Sequence, residues 1–338
     1  MVKVSIASLI YKSPVYADWV YNSIHEFTPM ISRGDAEFFF VANDPTQEVI
    51  DHLNKKGYPH VVNINPKRSE DELFRMGYGK PEYIHRVYRG WNRAITEAKG
   101  EVVVLVNSDN FFSPDWLENL LKYLSKKTVI CSKLVERKHP KYGMVFEGAW
   151  HGEFGAHPKL FKKDEFLDFC EKVKLTGLEE GGAFMPCAFY KEKAIEVGLY
   201  PEGNIAGVDF NDVIEYGDAA FFKKLAKIGV KHYTALDSVV YHVKEGEMDE
   251  PEKEIEIHSK EELTTFPPPF RLTHNVILTC DENIQYLSIG KALCQKNRHV
   301  PEKKKPFVTS IAYTLKRKLS PKTYNAIRKT YRRIMGKI

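Results

Sequence analysis

The 338-residue chain has no apolar run approaching the roughly 18 residues that a membrane-spanning helix needs, which argues against an integral helical membrane protein. Its five cysteines, Cys131, Cys170, Cys187, Cys280 and Cys294, include no close pair. That spacing supports neither a disulfide framework nor a zinc knuckle, and it suits a reducing cytosol. Met1 to Ile10 runs directly into a strand pattern with no cleavage site, so a cytoplasmic location is expected. Internal repeats are also missing. What is present is 43% hydrophobic residues, enough for an α/β core of about 250 residues with an appendage.

The formal charge of +5 is unevenly spread, because residues 301–338 hold twelve Lys or Arg against a single acid, Glu302. The remainder is therefore net acidic, and the basicity belongs to the tail rather than to a groove in the core. Along the core, short strands alternate with helices. Val2–Ile6, Glu37–Ala42 and Val61–Ile64 read as strands, and Tyr16–Phe27, Thr46–Lys55 and Tyr88–Ala98 as helices. A strand over Glu101–Val106 follows, then a helix capped by Ser113 with Pro114 in its first turn. From Cys131 to Leu178 the pattern loosens into a pocket-shaping excursion. It resumes with a strand over Gly181–Tyr190, a helix ending near Gly198, a helix over Asp218–Lys227 and one or two strands over Lys231–Val243. Such βα alternation predicts a mainly parallel sheet covered by helices on both faces.

The strand over Glu101–Val106 runs straight into Asn107, Ser108 and Asp109. In open α/β sheets the carboxyl ends of strands form the ligand crevice, so a carboxylate there can reach a substrate or a metal. An ordinary polar turn explains these three residues equally well. The tie is broken by other segments in a fixed order: Val4–Pro14 with Ser8, Asn43–Glu48 with Asp44, Asn92–Gly100, Tyr216–Gly229 with Asp218, and Val239–His242.

Together these segments resemble the GT-A glycosyltransferases of the family 2 type, over residues 1–245. The resemblance implies a GT-A (nucleotide-diphospho-sugar transferase) fold and transfer of a sugar from a nucleotide-diphosphate donor to a hydroxyl acceptor, with inversion. It implies that Asp109 and His242 hold a divalent metal, Mn²⁺ or Mg²⁺, and that Asp218 is the catalytic base, with Glu215 as the alternative acid. Ser8, Asn43, Asp44, Asn92, Asn107, Ser108, Gly181 and Gly182 are then the candidate donor contacts. Taken singly, His242 also fits a hydrogen-bonded strand histidine, Asp218 a helix cap, and the two glycines a turn. The chain departs from the family pattern at Gly217, where the acid before Asp218 is missing, and at Ala220, Lys224, Asn43 and Trp91. Arg86, Arg89 and Lys67 are candidates to supply the phosphate charge lost at Trp91, and Trp150 and His151 to stack on a sugar, although core packing explains these two more simply.

Residues 246–300 form an acidic and Pro-rich linker segment, and residues 301–338 a basic tail of two amphipathic helices. Phe307, Ile311, Leu315 and Leu319, then Tyr324, Ile327, Tyr331, Ile334 and Ile338, mark their apolar faces. Residues 307–338 fit an anionic membrane surface, as would suit a lipid-linked glycan acceptor on the inner face of the membrane. Packing on the core or in a homodimer fits them too, and no nucleic acid is expected. Two other functions stay open: a nucleotidyltransferase using the same sheet and metal, and a non-catalytic nucleotide or glycan binder.

Overall fold

The computed structural model describes residues 3–243 apart from 139–144, 146–147 and 174. The expected linker over 246–300 and basic helices over 301–338 lie outside the described residues, as do Cys280 and Cys294. In chain order the strands are β1 (Val4–Ile10), β2 (Ala36–Asn43), β3 (His60–Asn63), β4 (Tyr78–Gly79), β5 (Val102–Val106), β6 (Asn110–Phe112), β7 (Thr128–Glu136), β8 (Trp150–His151), β9 (Leu178–Glu180), β10 (Cys187–Tyr190), β11 (Asn204–Ala206), β12 (Val213–Glu215) and β13 (Lys231–His242). The helices are α1 (Pro14–Phe27), α2 (Pro29–Ser32), α3 (Gln47–Lys56), α4 (Glu70–Arg75), α5 (Glu82–Glu97), α6 (Trp116–Leu121), α7 (Lys163–Lys172), α8 (Lys191–Glu196) and α9 (Gly217–Lys227). Among the described residues no helix is long and apolar enough to cross a membrane.

The main sheet has the order β3-β2-β1-β5-β10-β7-β13-β6. Strands β3, β2, β1 and β5 are mutually parallel, as are β7 and β13, whereas β10 runs antiparallel between the two blocks and β6 antiparallel at the far edge. Alternation along each strand divides the core into two layers. Ile6, Phe38, Phe40, Val104 and Val106 face one way, against Tyr16, Val20 and Ile24 of α1, Leu53 of α3 and Trp116 of α6. Ala7, Phe39, Val41, Val103 and Leu105 face the other, against Trp91 and Ile95 of α5 and Phe221 and Leu225 of α9. Each large side chain so buried contributes about 1.5–3 kcal/mol. Trp91, which departs from the family pattern, belongs to this second layer.

Four expectations need correcting. The helix expected at Ser113 and Pro114 begins at Trp116, behind Asp115 in a left-handed conformation. The cause is β6: its pairing with β13 carries extended backbone as far as Ser113, whose N–H donates to Val239 O. The strand expected from Gly181 is confined to Cys187–Tyr190, because Gly181 and Gly182 both have positive φ. Strand β7, central to the sheet, opens what was expected to be an irregular excursion. Finally, α5 starts six residues earlier than expected, and β4, β11 and β12 form a small separate sheet in the order β12-β11-β4.

Gly182 shows how tightly the β9–β10 connection is packed. Its φ is +113°, and a Cβ there would lie 2.0 Å from Thr234 Oγ1, which itself donates to Gly181 O at 2.6 Å. Gly182→Ala is expected to lower stability by roughly 2–4 kcal/mol through backbone strain and overpacking. Urea unfolding checks this, and an unchanged midpoint refutes it.

Candidate active site

Strands β1, β2, β3, β5, β7 and β13 end at Ile10, Asn43, Asn63, Val106, Glu136 and His242. Most sequence-predicted site residues fall at or just beyond these ends. Asp109 follows β5 by three residues and is 4% exposed. Its Oδ2 lies 3.3 Å from Nε2 of His242, the last residue of β13. The other imidazole nitrogen, Nδ1, is 2.8 Å from Oε1 of Glu136, which is 2% exposed at the end of β7. Register makes this arrangement unavoidable, since His242 stands beside Glu136 on one side and opposite Asn110 on the other.

Burial alone would lower the His242 pKa. The neighbouring Asp109 carboxylate, with Glu136 behind it, more than reverses this and pushes it up to about 10. Among the described residues no group of three or more His, Cys, Asp or Glu is arranged to hold a metal by itself. As it stands the pair is an imidazolium facing a carboxylate; a divalent cation would have to displace the Nε2 proton, after which Asp109 Oδ2 and His242 Nε2 are the two protein donors and phosphate and water would supply the rest. Glu136 then orients the imidazole from behind, as carboxylates do for metal-binding histidines. Asn110 is fully buried, and its Nδ2 has no hydrogen-bond partner among the described residues. Asn107 and Asn110 close the intervening turn, with the Asn107 N–H donating to Asn110 Oδ1 at 3.0 Å; Ser108 lies within it.

On the same carboxyl side, toward the β3 edge of the sheet, a cavity of about 370 Å³ is lined by Asp44, Asn65, Lys67, Arg68, His85 and Arg86, among others. Asp44 lines it directly, with Arg86 Nη1 3.7 Å from its Oδ2. Asn43 sits behind: its Nδ2 donates to Arg86 O, and its Oδ1 accepts from Asn63 at 2.8 Å and Asn65 at 2.7 Å. Asn65 also donates to both Asp44 oxygens, from its backbone N–H at 2.7 Å and its side chain at 3.0 Å. Of the three cations offered by the sequence, Lys67 and Arg86 line the cavity, whereas Arg89 is committed to Glu202 at 2.8 Å.

Asp218 lies in the first turn of α9, partly buried, and accepts the Ala219 N–H at 2.8 Å. Burial pushes its carboxyl up from the usual range, while hydrogen bonds from Ala219 and Tyr88 pull the other way. Glu215, the alternative acid, is paired with Lys223 at 2.9 Å. The remaining candidates have structural partners. Ser8 is fully buried within β1 and donates to Leu9 O. Asn92 exchanges two hydrogen bonds with the Tyr200 backbone, at 3.0 and 2.9 Å. Gly181 and Gly182 pack against Thr234, eight residues before His242 on β13. Trp150 is buried against Phe169 with Lys133 over its ring, and the exposed His151 pairs with Glu153. Lys224 donates to the backbone carbonyls of Gly198 and Leu199.

Sequence reasoning missed Glu136, Asn65 and Arg68. Glu136 had a signal, an acid ending the apolar run Leu134–Val135. Asn65 and Arg68 had none beyond standing after a short strand.

Residues 71–194 match the family model described as glycosyl transferase family 2. No curated protein sequence matches the chain. Among solved structures it is similar to GalNAc-T7 with UDP, GalNAc and Mn²⁺, at 14% identity and a TM-score of 0.45, covering 72% of this chain and 44% of that one. It is also similar to the mannosyltransferase PcManGT from Pyrobaculum calidifontis in complex with GDP-Man and Mn²⁺, at 17% identity and a TM-score of 0.43, covering 72% and 58%. A third is S. aureus TarS 1-349, at 13% identity and a TM-score of 0.44, covering 71% and 60%. The chain thus spans less than two thirds of each of these proteins.

Proposed function

We propose that this chain, a family 2-like glycosyltransferase of GT-A fold, moves a sugar from a nucleotide-diphosphate donor to a hydroxyl of a glycan acceptor, with inversion at the anomeric carbon. The observation that carries the reading is the convergence of Asp109 and His242, from different strands, to 3.3 Å at the carboxyl edge of the sheet. The cavity beside Asp44 takes the nucleoside, with Lys67 and Arg86 supplying positive charge toward its phosphates. A divalent cation held by Asp109 and His242 would supply Lewis-acid neutralisation of the charge on the departing diphosphate.

Asp218 takes the proton of the acceptor hydroxyl as its oxygen bonds to the anomeric carbon. The bond from that carbon to the diphosphate oxygen breaks on the opposite face, and the nucleoside diphosphate leaves with the electron pair. One general base and a single displacement account for inversion without a covalent intermediate. The basic, amphipathic sequence of residues 307–338 supports a lipid-linked glycan acceptor presented at an anionic membrane surface.

Asp218→Asn is expected to lower kcat roughly a hundredfold or more while donor binding persists. The base must be ionised to act, and burial raises its pKa. The acid limb of the kcat/KM profile should therefore fall at a higher pH than the roughly 3.9 of a free aspartate. Product analysis decides the reaction class: a released nucleoside diphosphate supports sugar transfer, pyrophosphate supports nucleotidyl transfer, and donor binding without turnover under any metal supports a binder.

Glu136→Gln tests the cation assignment separately. The affinity for Mn²⁺ in the presence of nucleoside diphosphate, read by calorimetry, should fall about 10–100-fold. Wild-type affinity would remove Glu136 from the metal's surroundings.

A further inference from the structure

Asn43 is one of the positions at which the chain departs from the family pattern, and its amide bonds to protein groups through both its nitrogen and its oxygen. The carboxylate at this strand end belongs to the next residue. Asp44 lines the cavity from a left-handed backbone with φ of 49°, a conformation that Asp tolerates better than most residues. Register explains what meets it there. Asn43 and Asn63 are partners across β2 and β3, so their side chains share a face, and Asn65 returns to that face two residues further on.

Both N–H groups of the Asn65 amide are engaged, one by Asn43 Oδ1 at 2.7 Å and the other by Asp44 Oδ2 at 3.0 Å. Its backbone N–H donates to Asp44 Oδ1 at 2.7 Å. Asn65 is 7% exposed, so this clamp on both carboxylate oxygens lies beneath the cavity surface. Arg86 is the competitor, with Nη1 3.7 Å from Oδ2. Closing that gap would cancel the charge of Asp44 and withdraw a cation from the phosphates. An amide holds the carboxylate without neutralising it, and of about four acceptor positions on a carboxylate it takes only two. The wall beside Asp44 is apolar, formed by Ile64, Pro66 and Leu73, with Ile64 71% exposed. A flat base covers such a wall and brings ring donors to an acceptor; a phosphate does neither.

We propose that Asn65 is a positioning residue that sets which nucleobase the cavity takes: by holding both oxygens of Asp44, it presents an acceptor to a base bearing a ring N–H, as uracil and guanine do. This rests on the reading that the cavity beside Asp44 takes the nucleoside. A carboxylate accepts and does not donate. Cytosine and adenine carry a bare ring nitrogen at the corresponding position, which sets two acceptors against each other and leaves both without a donor.

The test is calorimetry of UDP, GDP, CDP, ADP and inorganic pyrophosphate, each with Mn²⁺, on the full chain. Wild type should bind UDP or GDP about tenfold or more tighter than CDP and ADP; equal affinities, or a preference for CDP or ADP, overturn the proposal. In Asn65→Ala the affinity for the preferred nucleotide should fall about tenfold, as for a lost hydrogen bond to a charged group, while CDP, ADP and pyrophosphate stay within about twofold. A merely structural role lowers all of these affinities together; that outcome, or a preference kept intact, overturns the proposal. Should the alanine variant fail to fold, Asn65→Asp keeps the size and the backbone bond but sets an acceptor against Oδ2. The preference should be lost there too, and its retention overturns the proposal. Asp44→Asn is measured alongside. An unchanged preference in that variant removes the nucleoside from this cavity, and the role of Asn65 with it. A preference lost in Asp44→Asn but kept in Asn65→Ala removes Asn65 alone.

Discussion

The imidazole of His242, held between Asp109 and Glu136, ties three strand ends that the chain reaches at widely separated points. Two carboxylates so little exposed would repel each other and resist burial; a shared imidazole between them offsets both costs. The ladders of β13 with β6 and β7 bring these groups together, and the ion pair then fixes where the Asp109 carboxylate faces. The same contact that stabilises the edge is the one a divalent cation can enter, so the fold and the proposed chemistry draw on the same atoms.

Around that tie the site is built from two helices with different tasks. α5 lines the cavity beside Asp44 through His85 and Arg86, and through Tyr88 it meets the start of α9, where the Asp218 N–H donates to the phenol. α9 offers its amino end, where orphan N–H groups favour a carboxylate. The small sheet of β4, β11 and β12 joins the two, because Asn204 opens β11 and bonds to both the Gly217 N–H and Lys80 O. The cavity beside Asp44 and the proposed base therefore share one support. Preorganisation of this kind leaves less to be ordered when substrate arrives.

The outer architecture was legible because period-two apolar runs such as Glu101–Val106 and the helical spacing around Phe221 report burial locally. Asp109, Asp218 and His242 were proposed as members of an ordered pattern; the structure brings Asp109 and His242 to 3.3 Å of each other and puts Asp218 in the first turn of α9. What escaped the sequence depends on pairing between distant segments. Ser113 and Pro114 carry sound helix-start chemistry, yet the ladder with β13 extends the chain past them. The two- and three-residue strands β4, β11 and β12 are too short for a periodic signal. Asn43 reads as a ligand contact, but its amide is spent on Asn63, Asn65 and Arg86. Glu136 belongs to the site only through the register of β7 with β13, which no local spacing encodes.

The contact between Gly217 and the Tyr88 ring also couples the two positions by volume. Any side chain at 217 would drive its first carbon into an aromatic ring stacked in the core, so a larger residue there can be accommodated only together with a smaller one at 88.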